Sequence, residues 1–198
     1  MIYFCSDIHF FHKNILKFVP ERQEEFGDVD NMNKQIVKGW NNTVKENDTV
    51  FFLGDFSFKR RAFHEILPML NGHINFVMGN HDWKYYKEVN KYCNYVTTEQ
   101  TMFIDGLCVY MIHDPAEATP KDNVNLVLHG HVHEKWKSAH KEIEVFNEET
   151  GTTHIKEIGC PYMNMSVEQW DYKPVSWESV FTTYLVEQGY EESKIGLG

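Results

Sequence analysis

The chain has 198 residues, of which 42% are hydrophobic, 15% aromatic and 24% charged, and 19 basic against 29 acidic side chains give a formal net charge of -10. That length suits one domain over residues 1–198, and the composition excludes a disordered or fibrous chain. The negative field disfavours non-specific binding of long duplex nucleic acid, and no apolar run approaches the ~20 residues of a bilayer span.

In chain order, residues 2–6 read as a short buried strand and residues 13–18 as a helix. Between Asp30 and Lys45, Met32, Ile36, Trp40 and Val44 recur every fourth residue, the stripe of an amphipathic helix. Residues 49–53 form a second apolar strand. Residues 60–70 carry Phe63, Ile66, Leu67 and Leu70 at helical spacing, with Pro68 bending or ending the helix and Asn71-Gly72 closing it. Residues 74–78 are a third strand, and Asp82 is placed to cap a helix over residues 83–91. Residues 99–104 and 107–112 flank Asp105-Gly106, a two-residue hairpin signal. A strand over 124–128 comes next, then two alternating runs within 143–158 around Glu148-Glu149-Thr150-Gly151, a second hairpin. A last strand is expected over 163–167, and Ser176 caps a helix through about residue 187. This mixture points to layered α/β with mixed sheets.

Cys5, Cys93, Cys108 and Cys160 form no CxxC pair, so no thiolate zinc site is written here. The first residues lack a basic n-region followed by an apolar stretch, and the expectation is a cytoplasmic protein with reduced thiols.

The residues just beyond each apolar strand carry the chemistry. The first strand runs into Asp7-Ile8-His9, the second into Gly54-Asp55, the third into Gly79-Asn80-His81-Asp82. The second arm of the first hairpin runs into His113-Asp114, and the next strand into His129-Gly130-His131-Val132-His133. In α/β sheets the crevice beyond the strand C-termini is where sites assemble. Carboxylates, imidazoles and an amide oxygen without thiolate suit Mn²⁺, Fe, Zn²⁺ or Ni²⁺ better than Ca²⁺ or Cu(I). The candidates outnumber the needs of one ion, whereas two ions about 3.5–4 Å apart, sharing a carboxylate, would use them all. Each motif alone has an ordinary reading: Asp-x-His as a cap and a surface histidine, Gly-Asp as a turn, Asp82 as a helix cap. His131 and His133, two residues apart, would share one side of an extended segment, as would His129. The joint order of the motifs favours the metal reading.

Asp7-x-His9, Gly54-Asp55, Gly79-Asn80-His81-Asp82, His113 and Gly130-His131-x-His133, in that order, resemble the calcineurin-like metallophosphoesterases, in particular the small single-domain phosphoesterases of bacteria and phages. The resemblance spans residues 7–133 and implies a four-layer α/β/β/α sandwich with mixed sheets. It implies one metal on Asp7, His9, Asp55 and His133 and a second on Asp55, Asn80, His113 and His131, with Asp55 as the bridge. Manganese is the foremost candidate, with Fe, Ni, Zn or Co as alternatives. A hydroxide bridging the metals would attack phosphorus, His81 would act as general acid, and Asp82 would orient His81. The chain departs from the protein-phosphatase branch: Gly54-Asp55 continues as Phe-Ser-Phe rather than Val-Asp-Arg-Gly, and Gly79-Asn80-His81 ends in Asp rather than Glu. The implied activity is hydrolysis of phosphodiesters on small or nucleotide-like substrates. A phosphomonoesterase of a small metabolite or nucleotide, or an idle scaffold with the same fold, are the alternatives. His12 and Asn14 are candidate contacts to substrate phosphate, and Asn164 a candidate pocket member. Lys59, Arg60 and Arg61 read as a solvated helix face. A small phosphoester or nucleotide is the expected partner, with neither long nucleic acid nor membrane.

Overall fold

In the computed structural model, which describes residues 1–147 and 150–191, the elements in chain order are β1 (Ile2–Cys5), α1 (Ile15–Phe18), α2 (Pro20–Phe26), α3 (Val29–Thr43), β2 (Thr49–Phe52), α4 (Arg60–Glu65), β3 (His73–Val77), α5 (Tyr86–Tyr92), β4 (Tyr95–Thr97), β5 (Glu99–Ile104), β6 (Leu107–Ile112), β7 (Leu126–His129), β8 (Ser138–Ala139), β9 (Glu142–Asn147), β10 (Thr152–Glu157), β11 (Tyr162–Asn164), β12 (Val175–Ser176) and α6 (Trp177–Glu187). Short runs of β-branched and aromatic residues become strands because both faces of each can be buried. β1 to β4 run parallel in one sheet, order β12-β1-β2-β3-β4, with β12 antiparallel to β1. The second sheet has the order β5-β6-β7-β11-β8, parallel across β6, β7 and β11 and antiparallel at both edges.

Alternation along the strands decides which core each side chain joins. Phe4, Phe51, Leu53 and Val77 of the first sheet meet Val109, Met111, Leu126, Leu128 and Met163 of the second in the core between the sheets. Tyr3, Cys5, Val50, Phe52 and Phe76 face the other way, onto α1 to α5. The outer face of the second sheet, with Tyr110, Val127 and Tyr162, is covered by Ile143 of the β9–β10 hairpin and by the loop at Ala118 and Val124. The mixed α/β layering is as the sequence implies, with hairpin and loop residues packed on the outer face of the second sheet. The C-terminal helix α6 instead sends Trp177 and Val180 into the core between the sheets.

Local chemistry sets the ends of the elements. The Asp28 carboxylate caps α3 by accepting the N–H groups of Asp30 and Asn31, and Ser176 caps α6 through the N–H of Ser179. Pro68 breaks the expected helix over 60–70 into α4 and a 3₁₀ turn at Leu67–Met69. Asp105 and Gly106, at φ 46° and 80°, make the two-residue turn of the β5–β6 hairpin. The second hairpin pairs Asn147 with Thr152, while Glu148 and Glu149 of its expected turn lie outside the described residues. The strand expected over 163–167 stops at Asn164, and the chain then turns through a 3₁₀ segment at Val167–Trp170. Asp82 does not cap the helix after it: residues 83–85 form a 3₁₀ turn, and its side chain makes no capping bond. α2, β4, β8 and β12 were not anticipated. Among the described residues, no helix is long and apolar enough to cross a membrane.

Trp40 ties α3 to this core. It is fully buried, and its indole N–H donates to the Asn71 carbonyl at 2.9 Å. Trp40→Ala is expected to lower unfolding free energy by about 3–5 kcal/mol in a denaturant titration, through the cavity and the orphaned carbonyl.

Candidate metal centre

Five strands of the two sheets end at one edge of the molecule, and the turns just beyond them carry the polar residues. The backbone there is unusual: Asp7, His9, Asp55, His131 and His133 all sit at positive φ, from 51° to 72°. Non-glycine residues hold that conformation only where their surroundings impose it, and such residues gather at functional sites. The imposing groups are visible. The buried Asp82 carboxylate accepts the N–H groups of Asp55 at 2.7 Å, Phe56 at 3.1 Å and Gly79 at 3.0 Å. Arg22 donates to the carbonyls of Asp7 at 2.6 Å and Ile8 at 2.7 Å. Gly79 and Gly130 permit the close approach: a Cβ on the first would fall on the Asp55 carboxylate, and on the second, on that of Asp7.

Two clusters result, Asp7 with His9 and His133, and Asp55 with His113 and His131, each with one ligand atom per residue, all within 4.8 Å of one another. In the first, the Nε2 atoms of His9 and His133 face each other at 3.2 Å. In the second, His113 Nε2 lies 3.0 Å from Asn80 Oδ1 and 3.3 Å from His131 Nδ1. Asp55 Oδ2 stands between them, 3.7 Å from His9 Nε2, 3.5 Å from His113 Nε2 and 3.7 Å from His81 Nε2. The donor set fits divalent cations: nitrogens and carboxylate oxygens converge without thiolate, and His9 Nδ1 is buried with no hydrogen-bond partner. Groups behind the cluster side chains orient them. The Asp7 carboxylate accepts the backbone N–H of His131 and the Ser166 hydroxyl, the latter at 2.9 Å. His113 Nδ1 meets the Leu53 carbonyl at 2.8 Å, and His133 Nδ1 meets Glu168 Oε1 at 2.9 Å.

The electrostatics arise from burial and mutual charge. Burial pushes the His9 pKa well below the ordinary imidazole value. Burial acts the same way on His113, yet the Asp55 charge beside it wins and raises its pKa to about 10. Reciprocally, burial would raise Asp55, but the His113 and His9 charges hold it well below the usual carboxylate range. For Asp82, burial and then the Asp55 charge push the carboxyl up to about 7, against the pull of its N–H donors.

Asp7, His9, Asp55, Asn80, His113, His131 and His133 are thus gathered at one place, and His81 lies beside them with its ring 35% exposed. Phe58 packs on His81 with ring centroids 3.9 Å apart, and on His12 at 4.4 Å, which brings His12 to the rim. Asn14 lies exposed at the start of α1, and among the described residues no hydrogen bond joins its side chain to the clusters. Asp82 requires a correction: its carboxylate grips the backbone of Asp55, Phe56 and Gly79 rather than the His81 ring. So does the strand-like reading of 129–133. Positive φ at His131 and His133 breaks the alternation, sends them to different clusters and leaves His129 apart, buried against Trp136, its pKa pushed by burial to about 3. Arg60 pairs with Glu88, and Arg61 lies 3.7 Å over the Phe11 ring. Asn164 is a brace, its amide donating to the carbonyls of His133 at 2.7 Å and Trp136 at 2.9 Å. Arg22, Ser166 and Glu168 escaped sequence reasoning. The one signal on offer was Arg22 four residues before Phe26, an arginine on the buried stripe of α2.

The model of the calcineurin-like phosphoesterase superfamily domain matches residues 1–157. An uncharacterized protein of Methanocaldococcus jannaschii is 32% identical over 198 residues, covering 95% of this chain and 92% of its own. A crystal structure of a protein of unknown function from Aquifex aeolicus superposes with a TM-score of 0.67 at 27% identity, over 92% of this chain and 98% of its own.

The close approach of Gly79 and Gly130 to the two aspartates gives a test. Gly79→Ala and Gly130→Ala are expected to lower the divalent metal retained after dialysis, measured by elemental analysis. Gly159→Ala, whose added methyl meets nothing within 4 Å, should retain as much as the unaltered protein. Equal retention in all three would contradict the packing described.

Proposed function

Since the chain belongs to the calcineurin-like phosphoesterase superfamily, whose enzymes are metal-dependent, we propose that it is a two-metal hydrolase of phosphoric esters that favours diesters of small or nucleotide-like molecules. The observation that supports this most is Asp55 Oδ2, buried within 3.7 Å of nitrogens from both clusters and of His81. A pair of divalent cations, manganese foremost, supplies when bound the charge that draws in phosphate oxygens and activates water for attack. Asp7, His9 and His133 on one side, Asn80, His113 and His131 on the other, and Asp55 shared between them would hold that pair. His81 is positioned to hand a proton to the departing oxygen. Burial pushes its pKa below the ordinary imidazole value, although Asp55 draws it up, so its protonated ring is a stronger acid than free imidazolium.

The preference for diesters rests on cations. A monoester dianion rewards arginines around the phosphate. No arginine lies in the five motifs; Arg60 and Arg61, the nearest in sequence, are engaged with Glu88 and Phe11, and the buried Arg22 is committed to Glu168 and to the Asp7 and Ile8 carbonyls. The net charge of -10 adds a penalty for long polyanions. A scaffold that had given up the chemistry would have no use for a complete ligand set beside His81.

Chelation should abolish hydrolysis of bis-p-nitrophenyl phosphate, and Mn²⁺, Ni²⁺ or Co²⁺ should restore it; full activity in metal-free protein would overturn the reading. His81→Ala should keep both metals while turnover falls by about 10²–10⁴, and by less with a good leaving group. Loss of a metal ion from that variant would make His81 a ligand instead. Across bis-p-nitrophenyl phosphate, p-nitrophenyl phosphate, a cyclic nucleotide and a duplex oligonucleotide, kcat/KM should be highest on the small diesters; a higher value on the monoester would install the phosphomonoesterase alternative.

A further inference from the structure

Arg22 is 0% exposed, and its guanidinium is fully engaged. Nε donates to Glu168 Oε1 at 2.8 Å, Nη2 to the same oxygen and to the Asp7 carbonyl, and Nη1 to the Ile8 carbonyl. Filling space between α2 and α3 would need only a leucine or methionine, and burying a guanidinium is costly unless each donor is met. What arginine adds is a planar fork that reaches the Asp7–His9 turn and a carboxylate at once. Glu168 is itself nearly buried, with its side chain 4% exposed. Its Oε1 also accepts from His133 Nδ1 at 2.9 Å, and its Oε2 is buried without a partner. The hydrogen bonding of this carboxylate is therefore committed to Arg22 and His133.

We propose, resting on the two-metal reading above, that Glu168 held by Arg22 is the positioning residue that keeps the proton of His133 on Nδ1 and its Nε2 turned toward Asp7 and His9, making that cluster the tighter of the two metal sites. The geometry has the required sense: His133 Nε2 lies 3.2 Å from His9 Nε2 and 4.0 Å from Asp7 Oδ1. A carboxylate behind a ligating imidazole fixes its tautomer and raises its basicity more than a neutral acceptor does. Among the described residues, the second cluster has no carboxylate within hydrogen-bond distance behind a ligand. His113 Nδ1 meets only the uncharged Leu53 carbonyl, and His131 Nε2 stands 3.7 Å from Asp114. Asn164, Ser166 and Glu168, which brace the first cluster, all lie beyond residue 157, where the match to the family model ends.

The test is a Zn²⁺ titration of the metal-free full chain by calorimetry, with a nitrogen-15 spectrum of its histidines. The unaltered protein should take two Zn²⁺ in two resolved steps, with His133 protonated on Nδ1 and metallated on Nε2. Glu168→Gln should weaken one step by about 10–100-fold and leave the other within about threefold. The double variant Arg22→Met, Glu168→Gln removes both buried charges together, which spares the fold the penalty of an unpaired one; because it also frees the Asp7 and Ile8 carbonyls, it should weaken the same step at least as far as Glu168→Gln alone, with the other step within about threefold. Affinities that are unchanged, or weakened equally in both steps, would overturn the role of Glu168. So would a His133 proton on Nε2 in the unaltered protein, a measurement that requires no variant to fold. Fewer than two Zn²⁺ bound by the unaltered chain would overturn the two-metal reading itself.

Discussion

The cleft depends on holding strand ends in a backbone conformation they would otherwise leave. Five side chains that converge on it come from non-glycine residues at positive φ. At roughly 1 kcal/mol or more each, this strain is of the order of a domain's whole net stability. It persists because buried polar side chains act on the peptide units themselves. Asp82 grips three N–H groups across the turns after β2 and β3, and Arg22 grips two carbonyls of the turn after β1. The apolar cores carry the sheets, but these two side chains carry the curvature beyond them.

The same groups compose the electrostatics. Asp7, Asp55, Asp82 and Glu168 bring four carboxyls into a small volume with a single fully buried arginine nearby. Asp55 and His113, buried side by side, shift each other strongly in opposite directions. Divalent cations would balance that negative charge, leaving imidazoles neutral and carboxylates charged.

The side chains of the two clusters were legible in sequence because each comes directly after an apolar strand and is of a type with no packing purpose there. Their order made the family legible as well. The supports were not. Glu168 sits in an ordinary run, Ser-Val-Glu-Gln, and its partner Arg22 is 146 residues away. A carboxylate ahead of a helix reads as a cap, and nothing local to Asp82 shows that its partners lie at Asp55 and Phe56. The His131–His133 spacing misled for a related reason: side-chain alternation holds only while the backbone stays extended, and φ is not written in residue type. β8 and β12 escaped because two-residue strands have no period.

The antiparallel pairing of β12 with β1 places residues 175–176 against residues 3–4. Ribosomal synthesis is vectorial, so β1 emerges well before the segment that covers its outer edge. During that interval β1 offers an open hydrogen-bonding edge, the kind that invites pairing with neighbouring nascent chains. Glu168, Ser166 and Asn164 arrive in the same late segment, so the cleft is braced only when that edge is sealed. A product that stops short of residue 164 would keep that edge open and lack those braces.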